Sequence, residues 1–136
     1  MTKLTKEQHQ ELIQTANRVR ANAYAPYSKY SVGAALLTTS GKIFTGVNVE
    51  NASYPLTMCA ERSAVFSAVT SGEREFIAIA VATNNGGTPC GSCRQVLSEF
   101  GLDIQVLIVD GNENVVQTTT VRELLPGAFS GGDLPK

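Results

Sequence analysis

Two stretches limit the possible folds more than any other: Phe76-Ile77-Ala78-Ile79-Ala80-Val81-Ala82 and Ile104-Gln105-Val106-Leu107-Ile108-Val109. The first is apolar at every position, the second at all but Gln105. A strand with one wet face alternates apolar and polar residues. Runs without that alternation fit strands covered on both faces, as in a parallel sheet. Between them, the stretch from about Cys90 to Phe100-Gly101 reads as a helix. Strand, helix, strand in that order implies a right-handed crossover.

The flanking sequence supplies the remaining elements. Thr5 with Gln8 three residues on is a capping box. Leu12, Ile13, Ala16, Val19 and Ala23 follow at helical spacing, so an amphipathic helix runs to about Asn22. Its histidine, His9, reads as a solvated helix residue. Pro26 breaks the helix and opens a tyrosine-rich loop, Tyr24 to Tyr30, whose spacing alone suggests packing at the domain edge rather than a pocket wall. Ser31 to Thr38 and Lys42 to Asn48 are β-rich runs joined by Thr39-Ser40-Gly41, a hairpin pattern. Thr57 reads as the N-cap of a helix from about Met58 to Thr70, with Ala60, Ala64, Ser67 and Ala68 as a small-residue face. Asn84-Asn85-Gly86-Gly87 reads as a flexible loop, without the Gly-Lys-Ser/Thr that a phosphate cradle needs. Val115 to Thr119 reads as an edge strand, and Thr120 caps a last turn or two through Leu125. The order is α-β-β-α-β-α-β-β. It predicts an α/β fold, a three-layer α-β-α sandwich around a mixed five-stranded sheet.

At 136 residues the chain is expected to be one domain, 1–136, with a core that needs no staples. A net charge of −1, with Lys and Arg scattered, lacks the basic footprint of a nucleic-acid surface and favours a small, weakly charged ligand. There is no signal-type apolar core and no membrane-length apolar run, so a cytoplasmic location is expected. Asn51-Ala52-Ser53 matches the glycosylation sequon by chance in that setting. Three cysteines cannot make a disulfide framework, and in a reducing compartment close-set cysteines point to metal or redox chemistry.

Those cysteines fall in two clusters, Cys59-Ala60-Glu61 and Pro89-Cys90-Gly91-Ser92-Cys93, each at an expected helix start. Cys90 and Cys93, three apart, share one helical face, and the positive helix ends favour thiolate. Three thiolates can hold Zn²⁺ and leave its fourth tetrahedral position open, the mark of a catalytic site. Glu61 lies off the face of Cys59, poorly placed as a ligand and better placed as a proton shuttle, although a first-turn glutamate also simply compensates the helix dipole. Arg62 and Arg94 follow the clusters closely and either withdraw charge from the sulfurs or form surface salt bridges. A Cys-x-x-Cys alone also suits half a structural zinc site or a thiol–disulfide oxidoreductase, but the second reading leaves Cys59 superfluous. Asn48 and Glu50, just before the first cluster, are either solvated or bound to a polar ligand.

The two cysteine motifs resemble the zinc nucleoside deaminases in their three-cysteine form. More narrowly, Tyr27-Ser28-Lys29-Tyr30-Ser31-Val32-Gly33-Ala34-Ala35, Asn48-Val49-Glu50-Asn51-Ala52-Ser53-Tyr54 and Leu124-Leu125-Pro126-Gly127-Ala128-Phe129 match, in order, the short single-domain cytidine deaminases. The resemblance implies zinc on Cys59, Cys90 and Cys93, with Glu61 as proton shuttle. It implies Asn48 and Glu50 on the ribose hydroxyls, the Ala60 backbone at the base, and Tyr30 and Tyr54 in the substrate site. It also implies a homotetramer in which Phe129 reaches a neighbouring subunit's site. The implied reaction is hydrolytic deamination of cytidine and 2′-deoxycytidine. A deaminase of another aminopyrimidine nucleoside, such as blasticidin S, is the nearest alternative, followed by a thiol oxidoreductase and a non-catalytic zinc module. The chain departs from the family pattern at Tyr30, where Phe is usual, and at Thr88, where Ser is more usual.

Overall fold

The computed structural model describes residues 3–135; the ends of the expected domain, Met1, Thr2 and Lys136, lie outside the described residues. In chain order the elements are α1 (Lys6–Arg20), β1 (Gly33–Thr38), β2 (Ile43–Val47), α2 (Ala60–Thr70), β3 (Phe76–Ala82), α3 (Gly91–Phe100), β4 (Gln105–Val109), β5 (Val115–Thr120) and α4 (Val121–Leu124). Short 3-10 turns occur at Tyr54–Leu56 and Gly131–Asp133. The sheet order is β2-β1-β3-β4-β5. β3 and β4 run parallel, while β1–β2, β1–β3 and β4–β5 are antiparallel.

Both faces of the sheet are covered, which is why its inner strands do not alternate. Leu12, Ile13 and Ala16 of α1 pack on Ala35, Leu37, Ala78, Ala80 and Leu107. On the opposite face Ala60, Ala64, Val65 and Ala68 of α2, with Leu97 of α3, pack on Ala34, Leu36, Ile79, Val81, Val106 and Ile108. The expected three-layer α-β-α sandwich with a mixed five-stranded sheet is the observed one. Thr5 closes its capping box with Gln8, and Thr120 accepts from the Glu123 N–H.

Three local expectations are corrected. The second helix starts at Ala60, with Cys59 rather than Thr57 as its N-cap. Val49 and Met58 exchange backbone hydrogen bonds as an isolated antiparallel bridge, which holds Met58 extended. Thr57 Oγ1 is taken by the Asn51 N–H at 3.2 Å. Ser67 is exposed, and Val65 completes the buried face in its place. The first helix ends at Arg20, two residues early.

β2 and β3 both run antiparallel to β1, so their carboxyl ends lie at the same end of the sheet. The chain leaves those ends to begin α2 and α3. That topology brings the two cysteine clusters together.

Candidate active site

Cys59 is the N-cap of α2, Cys90 is the N-cap of α3, and Cys93 lies in the first turn of α3. All three sulfurs lie within 4.8 Å of one another. Cys59 Sγ is 3.9 Å from Cys90 Sγ, which is 3.4 Å from Cys93 Sγ. Four ligands at about 2.3 Å around tetrahedral zinc stand roughly 3.8 Å apart, so the two separations of 3.9 and 3.4 Å lie close to the spacing such an ion requires. The cluster is positioned to hold a metal, and thiolate donors suit zinc.

Its electrostatics follow from the helix starts and from Arg62. Arg62 Nη2 donates to Cys59 Sγ at 3.3 Å. The Cys59 thiol is held down to about 5, first by its hydrogen bond with Cys93 and then by Arg62. Cys93, buried, is pushed above the usual thiol range by the same contact with Cys59 and by burial. Burial also raises Glu61 to about 7; the residue is only 5% exposed.

Arg94 takes neither of its two expected roles, on the sulfurs or in a surface salt bridge. Its guanidinium donates to Pro89 O at 2.8 Å, to Leu124 O at 2.8 Å and to Thr88 Oγ1 at 3.1 Å. It ties the segment leading into Cys90 to the end of α4.

Next to the thiols opens a cavity of about 270 Å³. Cys59, Cys90, Ala60 and Glu61 form its floor, and Tyr30, Asn48, Glu50 and Tyr54 stand in its walls. Eight of the residues expected at the site thus share one cavity. Phe129 does not line it; the residue is 57% exposed, and its carbonyl accepts from Gln95 Nε2 at 3.0 Å. His9 lines a separate groove against Gln105 and Thr118.

Asn48 and Glu50 are buried and already bonded within the chain. Asn48 Oδ1 accepts from the Val32 N–H at 2.9 Å, and Nδ2 donates to Tyr30 O at 2.8 Å, leaving one donor and one acceptor site on the amide. Glu50 Oε1 accepts from the Tyr27 and Ser28 N–H groups at 3.0 and 3.1 Å, and Oε2 accepts from the Ser28 hydroxyl. The Ser28 hydroxyl and these amides hold Glu50 below the ordinary carboxylate range.

Sequence reasoning missed Ser28, Thr83, Gly87 and Thr88 as wall residues. The sequence reads Asn84-Asn85-Gly86-Gly87 as a flexible loop, yet the Gly86 and Gly87 amides are bound to the buried Thr83 hydroxyl at 2.8 and 2.9 Å. A threonine three residues ahead of a Gly-Gly pair was the available signal.

The fold and the site define an α/β protein with three cysteine sulfurs positioned to hold a metal beside a buried carboxyl group. The family model for the cytidine and deoxycytidylate deaminase zinc-binding region matches residues 6–109. The cytidine deaminase of Sporosarcina psychrophila is 46% identical over 127 residues, covering 92% of this chain and 93% of that protein. That of Halalkalibacterium halodurans is 49% identical over 129 residues, covering 92% and 96%. The crystal structure of cytidine deaminase from Burkholderia pseudomallei superposes with a TM-score of 0.85 at 46% identity, covering 93% of this chain and all of that one. The chain belongs to the zinc-dependent cytidine and deoxycytidylate deaminase family.

Proposed function

We propose that this chain hydrolyses cytidine and 2′-deoxycytidine to uridine and 2′-deoxyuridine, releasing ammonia, as an enzyme of pyrimidine salvage. The observation that carries the reading is one cavity lined by Cys59, Cys90 and the buried Glu61, with the Cys93 sulfur within 4.8 Å of the other two. Its lining contains no Lys or Arg, and Glu50 presents a carboxylate there. A 5′-phosphate would find no cationic partner in such a wall, which favours a nucleoside over a nucleotide.

Cys59, Cys90 and Cys93 hold the zinc. Bound there, zinc supplies a Lewis acid that acidifies water at neutral pH. Glu61 takes a proton from the attacking water, whose oxygen forms the bond to C4. Glu61 returns that proton to ring N3, then takes the remaining proton of the added hydroxyl and passes it to the amine; the C4–N4 bond breaks as the C4 carbonyl forms, and ammonia leaves. Arg62 draws charge from Cys59 Sγ, and Arg94 braces the Thr88-Pro89 approach to Cys90. Asn48 and Glu50 use their remaining hydrogen-bonding capacity on the ribose hydroxyls. The Ala60 backbone meets the base, and Tyr30 and Tyr54 flank the substrate. Phe129, exposed and outside its own cavity, serves a neighbouring copy in a homotetramer. Residues 1–136 act as a single catalytic domain in the cytoplasm; no helix among the described residues is long and apolar enough to cross a membrane.

Substituting Glu61→Gln tests the assignment. The variant is expected to keep its zinc by metal analysis and lose about 10²–10⁴-fold in turnover, followed by the ultraviolet change and by ammonia release. Near-native turnover would remove Glu61 from the reaction.

A further inference from the structure

We propose that Asn85 is a positioning residue of the substrate cavity, clamping the Tyr30 ring on one side and the Thr83–Thr88 loop on the other. The proposal rests on the nucleoside reading above and names a determinant of its binding step.

Tyr30 stands ahead of β1, the Thr83–Thr88 loop joins β3 to α3, and Tyr30, Thr83, Gly87 and Thr88 all face the cavity. Tyr30 Oη donates to Asn85 Oδ1 at 2.8 Å. The Thr83 hydroxyl donates to the same oxygen at 3.4 Å, while it accepts the Gly86 and Gly87 amides. A continuous hydrogen-bonded path thus runs from the loop backbone through Thr83 and Asn85 to the tyrosine ring. The Gly86 and Gly87 amides polarise the Thr83 hydroxyl toward Asn85 Oδ1, the acceptor it shares with Tyr30.

The loop end of the path is anchored. Asn85 forms an isolated bridge with Asp110, and the Gly111 N–H donates to Asn84 O at 3.3 Å. Tyr30 is the freer partner, 39% exposed at the cavity mouth. Its own N–H donates to Ser28 Oγ at 3.0 Å, and that hydroxyl bonds Glu50. A shift of Tyr30 therefore reaches a second wall of the cavity.

Gly87 leaves the space that the tyrosine hydroxyl uses. A Cβ at position 87 would lie 2.4 Å from Tyr30 Oη but 3.6 Å from Cζ. With the hydroxyl present, Gly87→Ala must drive the ring off Asn85. With the hydroxyl removed, the added methyl makes an ordinary contact with a ring carbon.

The test is a set of variants: Tyr30→Phe, Asn85→Ala, Gly87→Ala and their pairs. Tyr30→Phe and Asn85→Ala are each expected to raise KM for cytidine about three- to tenfold, with a smaller change in kcat, and the pair to be no worse than either alone. Gly87→Ala should raise KM by a similar factor in the native chain and by less than about twofold on the Tyr30→Phe background. Amide hydrogen exchange, measured without substrate, should quicken at Gly86 and Gly87 in Asn85→Ala. Unchanged exchange, unchanged KM in both single variants, or an equal cost of Gly87→Ala in the two backgrounds would each overturn the clamp. A native chain that turns over no cytidine would instead overturn the proposed reaction, and the exchange measurement would still decide the clamp.

Discussion

Substituting Gly46→Ala tests whether the seat of α2 on β2 sets the metal geometry. An added Cβ there would lie 2.3 Å from Ala60 O, 2.5 Å from Ala64 N and 2.9 Å from Ser63 Cβ. The two nearest atoms are backbone of the first turns of α2, so no rotamer change clears them. Restoring ordinary contact requires that helix to retreat by about 1 Å, an overpacking that costs about 1–3 kcal/mol. The displaced end of the helix carries Cys59 as its N-cap and Glu61 as its second residue. A retreat of that size exceeds the ~0.2 Å tolerance of zinc–ligand distances several-fold. Zinc affinity is therefore expected to fall by about ten- to a hundredfold, with turnover falling in parallel, while the chain still folds. Gly33→Ala is the control. Its Cβ would lie 2.2 Å from Ala16 O and 2.8 Å from Arg20 N, backbone atoms of α1 on the opposite face. A comparable stability loss with near-native zinc affinity is expected there. Thermal unfolding by circular dichroism and zinc retention against a competing chelator give both quantities. Equal zinc loss in the two variants, or none in Gly46→Ala, would refute the reasoning.

Two further outcomes follow from the wall and the thiols. Glu50 is held below its ordinary value of 4.5, so its folded-state pKa lies below the unfolded one. Its contribution to stability is full above the unfolded value and is lost as pH falls through the folded value. The stability gap between the native chain and Glu50→Gln, measured by urea unfolding, should therefore narrow as pH drops below 4.5; a gap independent of pH would show that the carboxylate adds nothing. Arg62→Ala removes the donor to Cys59 Sγ and is expected to weaken zinc binding about 10–100-fold while leaving the far-ultraviolet spectrum native. Unchanged zinc affinity would reduce Arg62 to a surface role.

Much of the architecture is local and so could be read directly. Phe76–Ala82 and the run ending at Val109 are apolar because helices cover both faces of the sheet. Thr5 and Thr120 cap helices because the acceptor and the amide it satisfies lie three residues apart. The start of α2 was misplaced because its true cap depends on a bridge between Val49 and Met58, which takes Thr57 out of capping range. Arg94 stays open between the sulfurs and a surface salt bridge in the sequence because its partners, Pro89, Thr88 and Leu124, are visible only once α3 and α4 have packed.

The amino-acid order alone determined the layers, the strands and the three thiols with their neighbouring carboxyl group, since each depends on periodicity or on spacings of a few residues. Tertiary structure alone decided that Glu50 is held by Ser28, that Tyr30 is held by Asn85, and that Arg62 rather than Arg94 addresses a sulfur. The first two contacts join residues 22 and 55 positions apart. The arginines were undecided because a side chain that long can reach several partners, and the packing around each one selects among them.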